Sequence, residues 1–203
     1  MRGKYFAFAF AMAFLTTMNT GPAQALDLNP LTAIKGVLEA AVEDRSADDI
    51  ASDLAIKGKL TANVIDKMGS DIISINADVY EQIVMLTGIV ETGKQKIRAG
   101  QLAKAVDNVK KVHNEILVIK AIDKEKGAVE SFVDDSVIET KINAQLLDAG
   151  GVSVTNYRYR SIGGQVFLFG RALSEAELKK ALKIVKGIDG VKLVKSRVFV
   201  RAK

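Results

Sequence analysis

From Val166 to Phe169 the chain is unbroken apolar sequence, and the run ends at Gly170. Shortly after it, Ser174 and Glu177 stand at the spacing of a helix capping box. About eighty residues earlier the layout is the same: Ile83 to Leu86 leads to Gly88, and a helical pattern follows. Placing Gly88 on Gly170 also places Val84 on Val166 and Leu86 on Leu168. A unit that recurs at a fixed interval is a module used twice.

Each unit reads helix, strand, strand, helix, strand. "ADDIASDLAIKGKL" from residue 47 and "VDDSVIETKINAQL" from residue 133 open the two copies. Asp48–Asp49 and Asp134–Asp135 suit N-caps and the positive end of the helix dipole. Ile50, Leu54 and Leu60 in the first copy, and Ile138, Ile142 and Leu146 in the second, predict the buried stripe. "DIISINAD" with "QIVMLTGIV", and "VSVTNYRYR" with "GQVFLFGRA", are rich in β-branched and aromatic residues and predict hairpins. Gly163–Gly164 supplies the second hairpin's turn. Helices are predicted over 92–108 and 174–186, and closing strands at "VHNEILVIK" and "VKLVKSRVFV". After the hairpin the chain leaves the sheet to form a helix. A glycine there permits a bulge or a close backbone approach.

The repeated unit resembles the BON domain, named for bacterial osmotically inducible and nodulation proteins. The resemblance rests on Leu86-Thr87-Gly88 and Leu168-Phe169-Gly170. It rests also on the helix-to-strand passages, Val109-Lys110-Lys111-Val112-His113-Asn114 and Gly187-Ile188-Asp189-Gly190-Val191. The second copy keeps the family's Gly-Val at Gly190–Val191, and the first has Lys111–Val112 in its place. Gly88, Gly170 and Gly190 are the expected turn glycines. The resemblance implies an α+β chain of two tandem αββαβ domains. Each would be a three-stranded mixed sheet with both helices on one face, over 47–119 and 133–203. A charged linker, 120–132, separates them. The resemblance further implies a protein of the osmotic-stress or envelope type. One lipoprotein member binds anionic phospholipid through its second domain.

The N-terminus predicts export. Arg2 and Lys4 precede an apolar stretch from Phe6 to Leu15, and Ala23-Gln24-Ala25 forms a small-x-small site. That is the form of a signal peptide over 1–25. The stretch is short for a spanning helix, which needs roughly 20 apolar residues. The expected location is the bacterial periplasm, peripheral to a membrane. Residues 26–46 carry a short helical pattern opened by Pro30, read either as a lead-in helix packed on the first domain or as a surface helix. The 203 residues hold no cysteine, so disulfides, thiolate metal sites and lipidation at cysteine are excluded.

The formal charge of +5 is unevenly divided. Residues 47–115 hold nine Lys and Arg against ten Asp and Glu, and residues 133–203 hold thirteen against seven. Such asymmetry between two copies of one architecture points to an acidic partner for the second. Three places there are candidates. On the last helix Lys179, Lys180, Lys183 and Lys186 lie opposite Leu178, Ala181, Leu182 and Val185. On the helix before it, Lys141 lies among Val137, Ala144 and Leu147, a set suited to shallow insertion among lipid headgroups or to plain core packing. On the sheet, Phe167 and Phe169 share a face with the side of the final strand that bears Lys195, Arg197, Phe199 and Arg201. Stacking of single-stranded nucleic acid on that face conflicts with an exported protein. Burial against the Ile83, Met85 and Ile89 face of the first copy is the better reading.

No enzyme is expected. The single histidine, His113, has no nucleophile or metal-ligand motif beside it, and Gly163–Gly164 does not precede a helix as a phosphate loop would. No cofactor and no metal are expected. The sequence therefore reads as a non-enzymatic protein whose basic second domain binds an anionic phospholipid surface. The alternative is a scaffold or chaperone-like module that recognises an acidic envelope protein.

Overall fold

The computed structural model describes residues 44–69, 74–119 and 128–202, with side chains described from 134 in the last stretch. The expected leader (1–25), the helical pattern after Pro30 and the linker up to 127 lie outside the described residues. The first copy comprises α1 (Ala47–Met68), β1 (Ser74–Tyr80), β2 (Ile83–Val90), α2 (Gly93–Lys104), β3 (Lys111–Asn114) and β4 (Leu117–Val118). The second comprises α3 (Ala128–Asp148), β5 (Tyr157–Ile162), β6 (Gln165–Ala172), α4 (Glu175–Lys186) and β7 (Leu193–Val200).

In each copy a hairpin is antiparallel and the closing strand returns parallel to its second arm. β1 pairs with β2, and β2 with β3 and β4. β5 pairs with β6, and β6 with β7. The mixed sheet expected for each copy is present. In the first, the closing strand is interrupted at Glu115–Ile116, opposite Thr87–Gly88. In the second, pairing continues past the equivalent point, with Gly170 opposite Val198.

Alternation along β2 and β6 sorts the apolar residues into two cores. Val84, Leu86 and Val90 pack against Ile56, Leu60 and Val64 of α1 and Ala99, Leu102 and Ala103 of α2. Val166 and Leu168 pack against Ile138, Ile142 and Leu146 of α3 and Ala181 and Val185 of α4. Both helices of each copy therefore lie on one face of its sheet.

The interval set by the two glycines holds down to α1 and α3, and it corrects the sequence reading there. It places Ile56, Leu60 and Val64 on Ile138, Ile142 and Leu146, and all six are buried. The expected stripe of Ile50, Leu54 and Leu60 is wrong except for Leu60. Leu54 is 70% exposed and Ile50 only half-buried. The acidic pairs meet the expectation only in part, since Asp48–Asp49 stand at the positive end of α1 but do not cap it. Ser46 caps α1, accepting from the Asp49 N–H at 3.1 Å, and Asp48 and Asp49 occupy the first turn. α3 begins at Ala128, so Asp134–Asp135 stand inside it, not at its cap. The true counterpart of Asp135 is Asp53. Asp53 accepts the Glu81 and Gln82 N–H groups in the first hairpin turn, both at 2.7 Å. Asp135 accepts those of Gly163 and Gly164, at 2.6 and 2.9 Å. One carboxylate in each first helix thus satisfies the buried donors of a tight turn and ties helix to sheet.

The passage into the last strand is likewise corrected. Asn108–Val109, not Lys111–Val112, stands where the second copy has Gly190–Val191. Asn108 has φ 66° and Gly190 φ 90°. Asparagine is among the few side-chain-bearing residues that tolerate this left-handed conformation.

Gly88 and Gly170 are required by contact as well as by dihedral. Their φ values are 125° and 112°, and a Cβ would meet the Ser74 carbonyl oxygen at 1.6 Å and the Asn156 carbonyl oxygen at 2.0 Å. The start of the neighbouring chain segment crosses directly over each glycine. Gly88→Ala and Gly170→Ala are each expected to cost about 3 kcal/mol or more in urea unfolding. Gly58→Ala, at an open site within α1 with nothing in contact range, should instead gain about 0.5–1 kcal/mol.

Candidate functional site

The faces of the two sheets turned away from the helices meet each other. Tyr80 and Met85 of the first copy and Phe167 and Phe169 of the second form a third buried cluster, with Ile83, Leu117, Ile162 and Phe199 at its margin. Tyr80 meets Phe169 and Phe199 edge to face, with centroids 6.5 and 6.2 Å apart. Ile89 is only half-buried and lines a cleft at the edge of this contact. The aromatic face is thus covered by the first domain, and with it the surface on which nucleic acid would have stacked.

Charges are paired across the same contact. Arg171, buried, donates to Glu81 at 2.9 Å, and Arg201 reaches the same oxygen at 2.7 Å. Arg197 meets Glu115 at 2.6 Å and Lys195 approaches it at 3.8 Å. Arg160 lies 3.7 Å from Asp78. Every cation named belongs to the second copy and every anion to the first. Much of the charge asymmetry between the copies is therefore internal complementarity. The segment before α1 joins the contact: Arg45 pairs with Asp53 and lies 4.2 Å above the Tyr80 ring, and the Asp44 carbonyl accepts from Arg171 at 2.7 Å.

Of the second copy's other basic residues, Arg158 of β5 lies 5.5 Å from the Tyr80 ring and Lys192 donates to the Gly163 carbonyl, and the lysines of α3 and α4 lie outside, on the helices. Lys179, Lys180, Lys183 and Lys186 of α4 are all exposed, with Ala181 and Val185 buried and Leu178 and Leu182 half-buried beneath them. Ser174 caps the helix, accepting from the Glu177 N–H at 3.1 Å. The Glu177 carboxylate completes the local network by accepting from the Leu173 N–H and the Ser153 N–H at 2.8 and 2.9 Å. The α4 lysines thus ride on a helix whose first turn is pinned to the domain. Val137 and Leu147 of α3 are 45% and 69% exposed, and Lys141 is half-buried between them. These three are not core residues. The structure brings both candidate helices into one outer layer, where Lys180 donates to the Gly150 carbonyl just beyond Leu147.

His113 sits at the edge of the sheet contact, its ring 6.4 Å from that of Phe169. Burial, with Lys111 and Arg197 nearby, holds its pKa below the ordinary value, and Glu115 opposes this. The cleft beside Ile89 has a volume of about 360 Å³ and contains Glu139 and Arg160, 3.6 Å apart. Burial raises the Glu139 pKa, while the Ser161 N–H and Arg160 act the other way. Among the described residues no cluster of His, Asp and Glu is arranged to hold a metal ion. No described helix is long and apolar enough to cross a membrane.

Comparison with known proteins adds a family. The BON domain model matches residues 52–120 and again 134–202. A protein of Anaplasma centrale, known as an uncharacterized protein in the gshII 5' region, is 36% identical over 130 residues, covering 64% of this chain and 82% of its own. Osmotically-inducible protein Y of Escherichia coli is 32% identical over 124 residues, covering 61% of this chain and 59% of its own. Outer membrane lipoprotein DolP of Haemophilus influenzae is 32% identical over 120 residues, covering 59% of each chain. The matched part thus spans under two thirds of the length of these last two relatives.

Two tests follow from the contact between the sheets. Glu81→Ala strands a buried guanidinium and is expected to cost about 3 kcal/mol in chemical denaturation. Replacing the pair together (Glu81→Leu with Arg171→Met) should recover most of that loss, because an apolar pair leaves no buried unpaired charge and Arg201, the other partner of Glu81, is exposed to solvent. The depressed pKa of His113 gives a pH dependence of defined sign. The fold favours the neutral ring, so its contribution is complete above the ordinary value of 6.5 and is lost as pH falls through 6.5 towards the folded pKa. In denaturation curves at a series of pH values, His113→Gln should flatten that slope.

Proposed function

This chain belongs to the BON domain family, and from that premise we propose that it is a non-enzymatic protein of the bacterial envelope that binds anionic phospholipid through the outer helices of its second domain. The names of two relatives support the setting: one is induced osmotically and one is an outer membrane lipoprotein. The N-terminal pattern of Arg2, Lys4, the apolar stretch and Ala23-Gln24-Ala25 supports export to the periplasm. The domains are taken as 47–119 and 133–203, after a signal peptide of 1–25, a lead-in of 26–46 and with a linker of 120–132 between them, of which residues 128–132 already belong to α3. A role in maintaining the envelope under stress fits this setting.

One observation carries the lipid reading. Once Arg160, Arg171, Lys195, Arg197 and Arg201 are assigned to the contact with the first domain, the lysines of α4 remain, exposed and clustered. Lys179, Lys183 and Lys186 have no carboxylate partner among the described residues. Near an anionic membrane each such lysine contributes about 1 kcal/mol, screened by salt. Val137 and Leu147 offer apolar side chains to the headgroup region beside Lys141 on the same layer. Electrostatic attraction then brings the layer down, and shallow apolar contact holds it.

Flotation with phosphatidylglycerol or cardiolipin vesicles tests this reading against zwitterionic vesicles. Binding is expected on anionic vesicles alone and should weaken as salt rises. Replacing Lys179, Lys180 and Lys183 by alanine together should weaken it roughly a hundredfold, three lysines at about 1 kcal/mol each. Binding that survives those replacements but is lost with Val137→Ser, Lys141→Ala and Leu147→Ser would move the contact to α3. Absence of flotation under all conditions would refute the lipid reading in favour of an acidic protein partner.

A further inference from the structure

The sheet contact has a geometric consequence for the helices. The layer order is α1 and α2, then the first sheet, then the second sheet, then α3 and α4. Among the described residues the two helical layers are the outermost and face opposite directions. Stacked sheets lie about 10 Å apart and a helix packs at a similar distance on its sheet, so the outer helix axes are separated by roughly 30 Å. That is several times the screening length of roughly 8 Å at physiological salt. A membrane held by α4 is therefore out of electrostatic range of the first domain's helices.

Those helices nonetheless resemble the opposite layer. α2 occupies the place of α4 in the repeat, and its sequence, GKQKIRAGQLAK, contains four basic residues and no acid. Lys94, Arg98 and Lys104 are exposed, and Lys96 is half-buried. Ile97 is 62% exposed and lies one helical turn from Lys94 and beside Arg98. On α1, Ile65 is 57% exposed at the position that the repeat places on Leu147, itself 69% exposed. Both outer layers thus present a basic helix and a protruding aliphatic side chain. Nearby acids are partly engaged: Asp107 approaches Lys59 at 3.6 Å and Asp66 approaches Lys67 at 3.3 Å. The first domain's overall balance of charge conceals this helix, because its acids Asp78, Glu81 and Glu115 are spent on the sheet contact.

We propose that the protein is bivalent for anionic lipid surfaces and bridges two of them, one on α3 and α4 and the other on α1 and α2. The inference rests on the lipid reading above, but adds a second and opposed contact. Lys94, Ile97 and Arg98 carry it. Their exposed cationic and aliphatic side chains complement a phospholipid surface, negative at the headgroups and apolar beneath.

The test mixes mature protein with vesicles of phosphatidylglycerol and phosphatidylcholine, and follows vesicle size by dynamic light scattering beside flotation. Native protein should cluster the vesicles at low coverage and disperse them again at saturating coverage, when every vesicle is already coated. A triple variant, Lys94→Ala, Ile97→Ser and Arg98→Ala, changes exposed positions only, and its fold is checked by circular dichroism. It should still float through α4 but cluster at least tenfold less. Native flotation without clustering overturns bridging and leaves the lipid reading standing. Clustering by the α2 variant equal to native, or clustering that persists at saturation, also overturns it, since either assigns clustering to association between protein molecules. Absence of flotation on anionic vesicles overturns both readings.

Discussion

The burial of one sheet face against the other governs the rest of this molecule. Each sheet has an apolar face for its own helices and a second face that cannot be left in water. Tyr80, Met85, Phe167 and Phe169 are fully withdrawn from solvent only because the two copies meet. Aromatic pairs across the seam add directional contacts to the area buried. Arg171 and Glu81 are buried beside it, and a buried ion pair of this kind costs more to break than it adds over an apolar pair. The seam therefore holds two domains in one fixed arrangement.

That arrangement changes the meaning of the basic charge. Counted along the chain, the second copy looks like a cation seeking an anion outside. In the fold, several of its cations have found their anions in the first copy, at Asp78, Glu81 and Glu115. The charge that remains for a partner belongs to helix faces. Coulomb attraction at contact distance is strong where solvent is excluded and weak where it is not. The same residue types thus serve as internal fasteners at the seam and as a diffuse, salt-sensitive surface on the helices.

The two copies solve the same local problems with different residues. The buried turn donors go to Asp53 in one and Asp135 in the other. The left-handed position is met by Asn108 in one and Gly190 in the other. The α2 cap is a reciprocal box of Thr92 and Gln95, with Gln95 accepting from the Thr92 N–H at 2.8 Å. In α4, Glu177 turns instead to Leu173, Ser153 and Tyr157. Burial and the neighbouring Glu177 raise the Tyr157 pKa, which keeps its hydroxyl a donor. What is kept between copies is the satisfaction of each backbone group, since a buried orphan donor costs more than any particular side chain gains.

The sequence by itself determined the repeat, the order of elements and the two glycines, because period-2 alternation and a run that stops at glycine are local signals. It also determined that Lys179, Lys180, Lys183 and Lys186 would be exposed, since helical spacing sets them opposite Ala181 and Val185. The stripe of α1 and the role of Asp134–Asp135 were misjudged from the same information. Asp48–Asp49 and Asp134–Asp135 look alike in sequence, and the interval from Gly88 to Gly170, carried back to α1, would have put Asp53 on Asp135. Only the tertiary structure decided which charges stay available, because pairs such as Arg171 with Glu81 join residues ninety positions apart. Alternation along the strands already set the Phe167 and Phe169 face against the Ile83 and Met85 face, and with it the helices on opposite outer sides, because a second apolar face needs cover. A local pattern marks a face for burial, and only the fold sets which charges at its rim come within bonding distance of one another.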